Sequence, residues 1–202
     1  MPRYYYIAGM DSIVNINGKP DTVYHTISDI AFVNQNGEHR SIAHDLQGKI
    51  LVISFFFADC KGSCPKMHTN LKYLQNSFKK SYKKLNTLDT VVQFLSFTML
   101  PERDSIPRLR ELAAQYKANP DSWWFCTADK KAVYAFAKQQ LGLIAGDGNG
   151  GSDDFLHSEQ LVLIDKNRHI RGYYDGTIDT IANKCADDIV LLTLEKQKKH
   201  KK

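Results

Sequence analysis

Cys60 and Cys64 are separated by three residues in the segment FFFADCKGSCPKM, and Pro65 follows the second cysteine directly. Thiolates attack disulfides and also bind soft metal ions, so a close pair of cysteines admits both chemistries. The surroundings of the pair say more than its spacing. Pro65 suits a first helical turn, because the N–H that proline lacks would be unpaired there anyway. Met67, Leu71, Leu74 and Phe78 then recur at helical intervals. A helix starting directly after Cys64 would leave both sulfurs at its N-terminus, where unpaired backbone N–H groups favour negative charge, and Lys61 acts in the same direction. Both thiol pKa values are therefore expected to fall.

Three intervening residues, against the two of the usual thioredoxin redox loop, leave room for an ion between the sulfurs. In a thioredoxin fold the residue before the third core strand faces the active-site loop, and in thioredoxins that residue is a cis-proline. The corresponding segment here, DDFLHSEQLVLID, has no proline and sets His157 one or two residues ahead of the strand. Two thiolates and an imidazole form a soft donor set suited to Cu(I) and tolerable for Cu(II), whereas structural zinc normally takes a fourth protein ligand. Cys60, Cys64 and His157 are accordingly the candidate metal ligands. His68, one turn after Cys64, reads as exposed helix polarity, and Met67 as core. His25, His39, His44, His169 and His200 follow no ligand spacing. Four cysteines are too few for a disulfide-stapled scaffold. Cys126, within WWFCT, and Cys185, in a helix-like stretch, read as small buried hydrophobes.

The elements that must position these residues are legible in the hydropathy pattern. DIAFVN and EHRSIAH flank an Asn-Gly turn signal and predict a hairpin. LQGKILVISFFF predicts a buried strand, and a helix follows from Pro65. Residues 91 to 99 predict a second strand, and residues 105 to 118 a helix capped by Asp104 or Ser105. SWWFCT is a third strand and residues 130 to 141 a third helix. EQLVLID and HIRGYYDG then form a hairpin around Lys166 and Asn167 before a last helix over 178 to 194. Strands alternating with helices predict a three-layer α/β sandwich. The glycine-rich segment 145 to 155 predicts a flexible loop leading to His157. The expected divisions are an irregular segment over 1–25, one domain over 26–195 and a basic tail over 196–202.

The formal charge is +5, but the tail KQKKHKK supplies five lysines, so the body is nearly neutral. Clusters such as KKSYKK read as solvated helix faces, and nucleic-acid binding is not expected. No apolar run approaches the roughly 18 to 20 residues that span a bilayer, and Met1 to Met10 lack the layout of a signal peptide.

Taken together, SFFFADCKGSCPKM, FLSFTMLPERD, SWWFCTAD and LHSEQLVLIDKNRHIRGYYDG resemble the SCO/SenC family of copper chaperones, over about Thr26 to Leu194. The resemblance implies a thioredoxin-like fold and copper held by Cys60, Cys64 and His157. It implies delivery of copper to the copper-binding subunit of cytochrome c oxidase or to another copper-acceptor protein, or reduction of that acceptor's cysteines. It also implies a monomer tethered by an N-terminal membrane anchor, with the domain facing the bacterial periplasm or the mitochondrial intermembrane space. The chain lacks that anchor, which is expected to have been removed. Leu100 stands where the family often has aspartate before proline. The non-catalytic chaperone is the leading expectation. A thiol-disulfide oxidoreductase using Cys60 and Cys64 as its redox pair is the alternative, and a peroxidase of related fold ranks behind both.

Overall fold

The computed structural model describes residues 4–5, 11–16, 19–81, 91–143 and 159–195. His157, the glycine-rich segment 145–155 and the tail 196–202 lie outside the described residues, as do the last three residues of KKSYKK, 82–84.

The centre of the molecule is β5 (Ile50–Phe56), buried along its whole length. Its even-numbered residues Ile50, Val52 and Phe56 join one apolar layer and its odd-numbered Leu51, Ile53 and Phe55 the other. A strand covered on both faces is apolar at nearly every position, and the one polar residue of β5, Ser54, is buried with its hydroxyl 2.9 Å from that of Ser96. It pairs in parallel with β6 (Val92–Thr98), which pairs in parallel with β7 (Trp123–Thr127). Beyond β7 lies the hairpin of β3 (Ala31–Asn34) and β4 (His39–Ser41), and beyond β5 the hairpin of β8 (Gln160–Ile164) and β9 (Ile170–Asp175). The seven-stranded order is β4-β3-β7-β6-β5-β8-β9. Gly37, at φ +82°, completes the predicted Asn-Gly turn between β3 and β4.

Helices cover both faces. Residues of α2 (Ser63–Ser81), α3 (Ile106–Tyr116) and α5 (Asp179–Leu194) pack into the layer that holds Ile50 and Val52. On the opposite face lie α1 (Ile42–Asp45) and α4 (Lys130–Ala135), through Ile42 and Val133. The result is the expected three-layer sandwich. No helix among the described residues is long and apolar enough to cross a membrane.

Three details depart from the sequence reading. The segment expected to be irregular contains β1 (Ser12–Ile16) and β2 (Lys19–Val23), paired as a separate antiparallel sheet. The third helix is α-helical only to Ala135 and continues as a π-helical turn over Phe136–Gln140, in which Leu141 N–H reaches the Phe136 carbonyl at 3.2 Å. The inserted residue directs Gln140 at the 25–28 segment, where its Oε1 accepts the Ser28 N–H at 3.0 Å and meets His25 Nε2 at 3.1 Å. Finally, α2 starts at Ser63, so Cys64 lies inside its first turn rather than ahead of it.

Candidate functional site

The cysteine pair sits where β5 ends and α2 begins. Cys64 is 7 % exposed and belongs to the core cluster, beside Met67 and Leu71 of its own helix. Cys60 is partly exposed and packs against the same cluster from the loop. Both are free thiols, and Cys60 is among the groups that shift the Cys64 thiol. The structure thus brings together two of the three candidate ligands; the third, His157, lies outside the described residues.

The expected fall of both thiol pKa values is not borne out at Cys64. Burial, reinforced by Cys60, pushes that thiol up to about 12, while backbone hydrogen bonds at Phe57 and Cys64 act in the opposite direction. Lying inside the first helical turn and against the core, the sulfur loses more solvation than the helix terminus returns. Such a sulfur stays protonated near neutral pH and gives up its proton on binding a soft cation or on forming a disulfide.

The loop carrying Cys60 is fixed at several points to the β6–α3 connection. Met99 N–H donates to the Phe56 carbonyl at 2.8 Å. Ala58 N–H donates to the Asp104 carboxylate at 2.9 Å. The same oxygen accepts the Thr98 hydroxyl in a short hydrogen bond, and Thr98 Oγ accepts the Leu100 N–H at 3.0 Å. Asp59 pairs with Arg103 at 3.2 Å and with Arg108 at 3.3 Å. Cys60 N–H closes a turn onto the Phe57 carbonyl at 3.2 Å. Asp104, expected as a possible helix cap, is 3 % exposed and serves the cysteine loop instead; Ser105 occupies the N-cap position of α3 without a side-chain cap bond. Leu100 is buried.

His68 also departs from its reading as exposed polarity. It is 2 % exposed, with ring centroids of Tyr116, Phe56 and Phe125 at 4.8, 5.0 and 5.1 Å. Its Nε2 has no hydrogen-bond partner, and burial pulls its pKa down to about 3. The signal was present: position 68 falls four after Cys64 and three before Leu71, on the buried stripe of α2. Tyr116, which carries no functional signal in the sequence, is partly buried, and its pKa is raised first by burial and then by the nearby Cys64 and Cys60. Cys126 and Cys185 are buried as expected.

The far side of α2 ties to the start of β8. Asn70 donates from Nδ2 to the Gly176 carbonyl at 2.9 Å, and Gly176 N–H donates to the Glu159 carbonyl at 2.7 Å. Glu159 follows His157 by two residues.

These features agree with what the chain resembles. The SCO1/SenC family model matches residues 18–190. The SCO1 protein homolog of Bacillus subtilis (strain 168) is 27% identical over 171 residues, covering 84% of this chain and 82% of that protein. A SCO1/SenC family lipoprotein from Bacillus anthracis shares the fold at TM-score 0.71 with 26% identity, covering 83% of this chain and 95% of its own. BsSco, a member of the Sco family of cytochrome c oxidase assembly proteins in which a disulfide switch has been identified, superposes at TM-score 0.71 with 24% identity, over 87% and 98% of the two chains. Yeast Sco1 with copper bound has the same fold at TM-score 0.65 and 19% identity, over 88% and 98%. A strand-to-helix dithiol on this sheet, matched by the family model over most of its length, places the chain in the SCO1/SenC family.

Proposed function

We propose that this chain is a copper metallochaperone that holds the ion between the Cys60 and Cys64 sulfurs, with His157 as third ligand, and passes it on by ligand exchange. The observation that carries the reading is the pair of free thiols at one strand-to-helix junction, both against the same core cluster. Two soft sulfurs suit Cu(I), and an added imidazole extends the set toward Cu(II). The copper-bound yeast relative supports the choice of metal. The third ligand is supported by the tie from Glu159 through Gly176 to Asn70 of α2, because two residues of chain reach at most about 7 Å from Glu159. The acceptor is the copper-binding subunit of cytochrome c oxidase, in keeping with the assembly role of the Sco relatives. The Bacillus anthracis lipoprotein supports a membrane-anchored domain acting outside the cytoplasm.

The second reading is a thiol-disulfide oxidoreductase that keeps the acceptor's cysteines reduced, favoured by the disulfide switch identified in BsSco. His157→Ala separates the two. A chaperone losing its imidazole keeps two thiolates that hold Cu(I) in linear geometry, so Cu(II) affinity collapses while Cu(I) affinity weakens less. Competition titrations with both ions, beside the rate of reduction of a model protein disulfide, give the answer. Unchanged copper affinities with crippled disulfide reduction would transfer the function to the oxidoreductase.

A further inference from the structure

Cys64 rides on a long helix bolted into the core, so its position is set by the fold. Cys60 does not share that support. It lies on the six-residue connection 57–62 between β5 and α2, where the chain makes no regular structure. Whatever the pair does, its usefulness depends on how well Cys60 is held beside Cys64.

Two contacts from the β6–α3 connection reach consecutive residues of that loop. The first is the Asp104 carboxylate on the Ala58 N–H, two residues before Cys60, at 2.9 Å. The second is Asp59 against Arg103 and Arg108, with side chains about half exposed on both partners. Exposed pairs of that kind are screened and contribute little. The Asp104 contact is of another class, since the carboxylate is 3 % exposed and a buried charge-assisted hydrogen bond to backbone is among the stronger ones. Its oxygen is in turn fixed by Thr98 at the end of β6, whose hydroxyl also accepts the Leu100 N–H. The loop is thereby joined to a strand that pairs with β5 along all seven residues.

We propose that Asp104 is the positioning residue of the dithiol: by holding the Ala58 N–H it keeps the Cys60 sulfur beside Cys64, and so sets how effectively the pair binds a soft metal ion or closes as a disulfide. The metal half of this statement rests on the chaperone reading; the disulfide half does not. Asp104 touches neither sulfur, and acts through the backbone.

The test uses the whole chain, reduced, with two readouts. One is Cu(I) affinity by competition titration. The other needs no metal: equilibration with glutathione disulfide, in which Cys60 and Cys64 form one S–S bond, the S–S bond of the reagent breaks, and two electrons and two protons pass to two glutathione thiols. Asp104→Ala is expected to lower both the affinity and the equilibrium constant by roughly 10- to 100-fold, the range for loss of a residue that orients a ligand. Asp59→Ala is expected to change neither by more than about twofold. Val133→Ala, in the opposite layer, reports what lost stability alone does, and both readouts should stay at wild-type values.

Should Asp104→Ala fail to fold, Asp104→Asn keeps the shape and one acceptor oxygen without the charge, and a smaller shift in the same direction is expected. A wild-type glutathione equilibrium in the folded Asp104 variant, or an equal shift in Val133→Ala, overturns the proposal. A wild-type protein that binds no copper, with Asp104→Ala still lowering the glutathione equilibrium, refutes the chaperone reading and leaves the positioning role standing.

Discussion

Cys60 and Cys64 pack against the same core cluster, yet only Cys64 is part of the buried core, at 7 % exposure. The pair is thus asymmetric: one sulfur is fixed in an apolar layer and the other is presented at the surface by a loop.

This asymmetry separates the two serine variants. Cys64→Ser places a hydroxyl in the core and is expected to cost about 1–2 kcal/mol of folding stability. Cys60→Ser should stay within about 0.5 kcal/mol of wild type. Both should lose tight copper binding, because each removes one of two soft ligands. Urea unfolding of the reduced proteins beside Cu(I) titration checks this, and equal stability losses would contradict the asymmetry.

His68 makes the fold sensitive to acid. Its unfolded imidazole titrates near 6.5, and burial holds the folded one at about 3. Between those values the unfolded chain binds the extra proton, so stability falls as pH drops through 6.5 toward 3. At pH 5 this amounts to roughly 2 kcal/mol by linkage. His68→Phe should remove that slope and, by deleting the unpartnered Nε2, match or exceed wild-type stability at neutral pH. Unfolding curves at pH 7.5 and 5 test it; a variant with the wild-type pH slope would refute the assignment.

Gly176 lies between Met67 of α2 and Glu159, the residue before β8. A Cβ there would stand 2.7 Å from Met67 Cγ and 3.0 Å from the Glu159 carbonyl. Gly176→Ala is therefore expected to destabilise the fold by about 1–3 kcal/mol. It should also weaken copper binding if Glu159 and the residues before it are displaced. Thermal unfolding and Cu(I) titration read both effects, and wild-type stability would show that the seam yields freely.

Most of the architecture was legible because it rests on continuous burial. The strands around Val52, Phe94 and Trp124 are apolar on both faces, and the Met67–Leu71–Leu74–Phe78 stripe repeats cleanly. The β1–β2 hairpin carries one legible signal, Asn17-Gly18 between Ile16 and Lys19, but SIVNI and KPDTV lack a clean apolar alternation and Pro20 argues against a strand. The π-helical turn at Phe136–Gln140 adds a single residue to a helix, which periodicity over one or two turns cannot resolve. At the site, the cysteines declared themselves by spacing and setting. Asp104 did not, because an aspartate ahead of a helix looks like a cap, and its true partner, the Ala58 N–H, is 46 residues away in sequence. The Cys64 thiol departs from expectation for the same reason: the helix terminus is a local feature visible in sequence, whereas the burial that outweighs it is assembled by distant residues.

The claim at the centre of this account is that Cys60 and Cys64, as free thiols, hold one copper ion. Cu(I) competition titration of the same protein before oxidation, after conversion of the pair to a disulfide, and after re-reduction tests it most directly, because a disulfide offers no thiolate to a metal. We expect one equivalent bound tightly by the reduced protein, none by the oxidised protein, and recovery of the full equivalent on reduction. Stoichiometric Cu(I) binding by the oxidised protein, or by the Cys60→Ser/Cys64→Ser double variant, would contradict it.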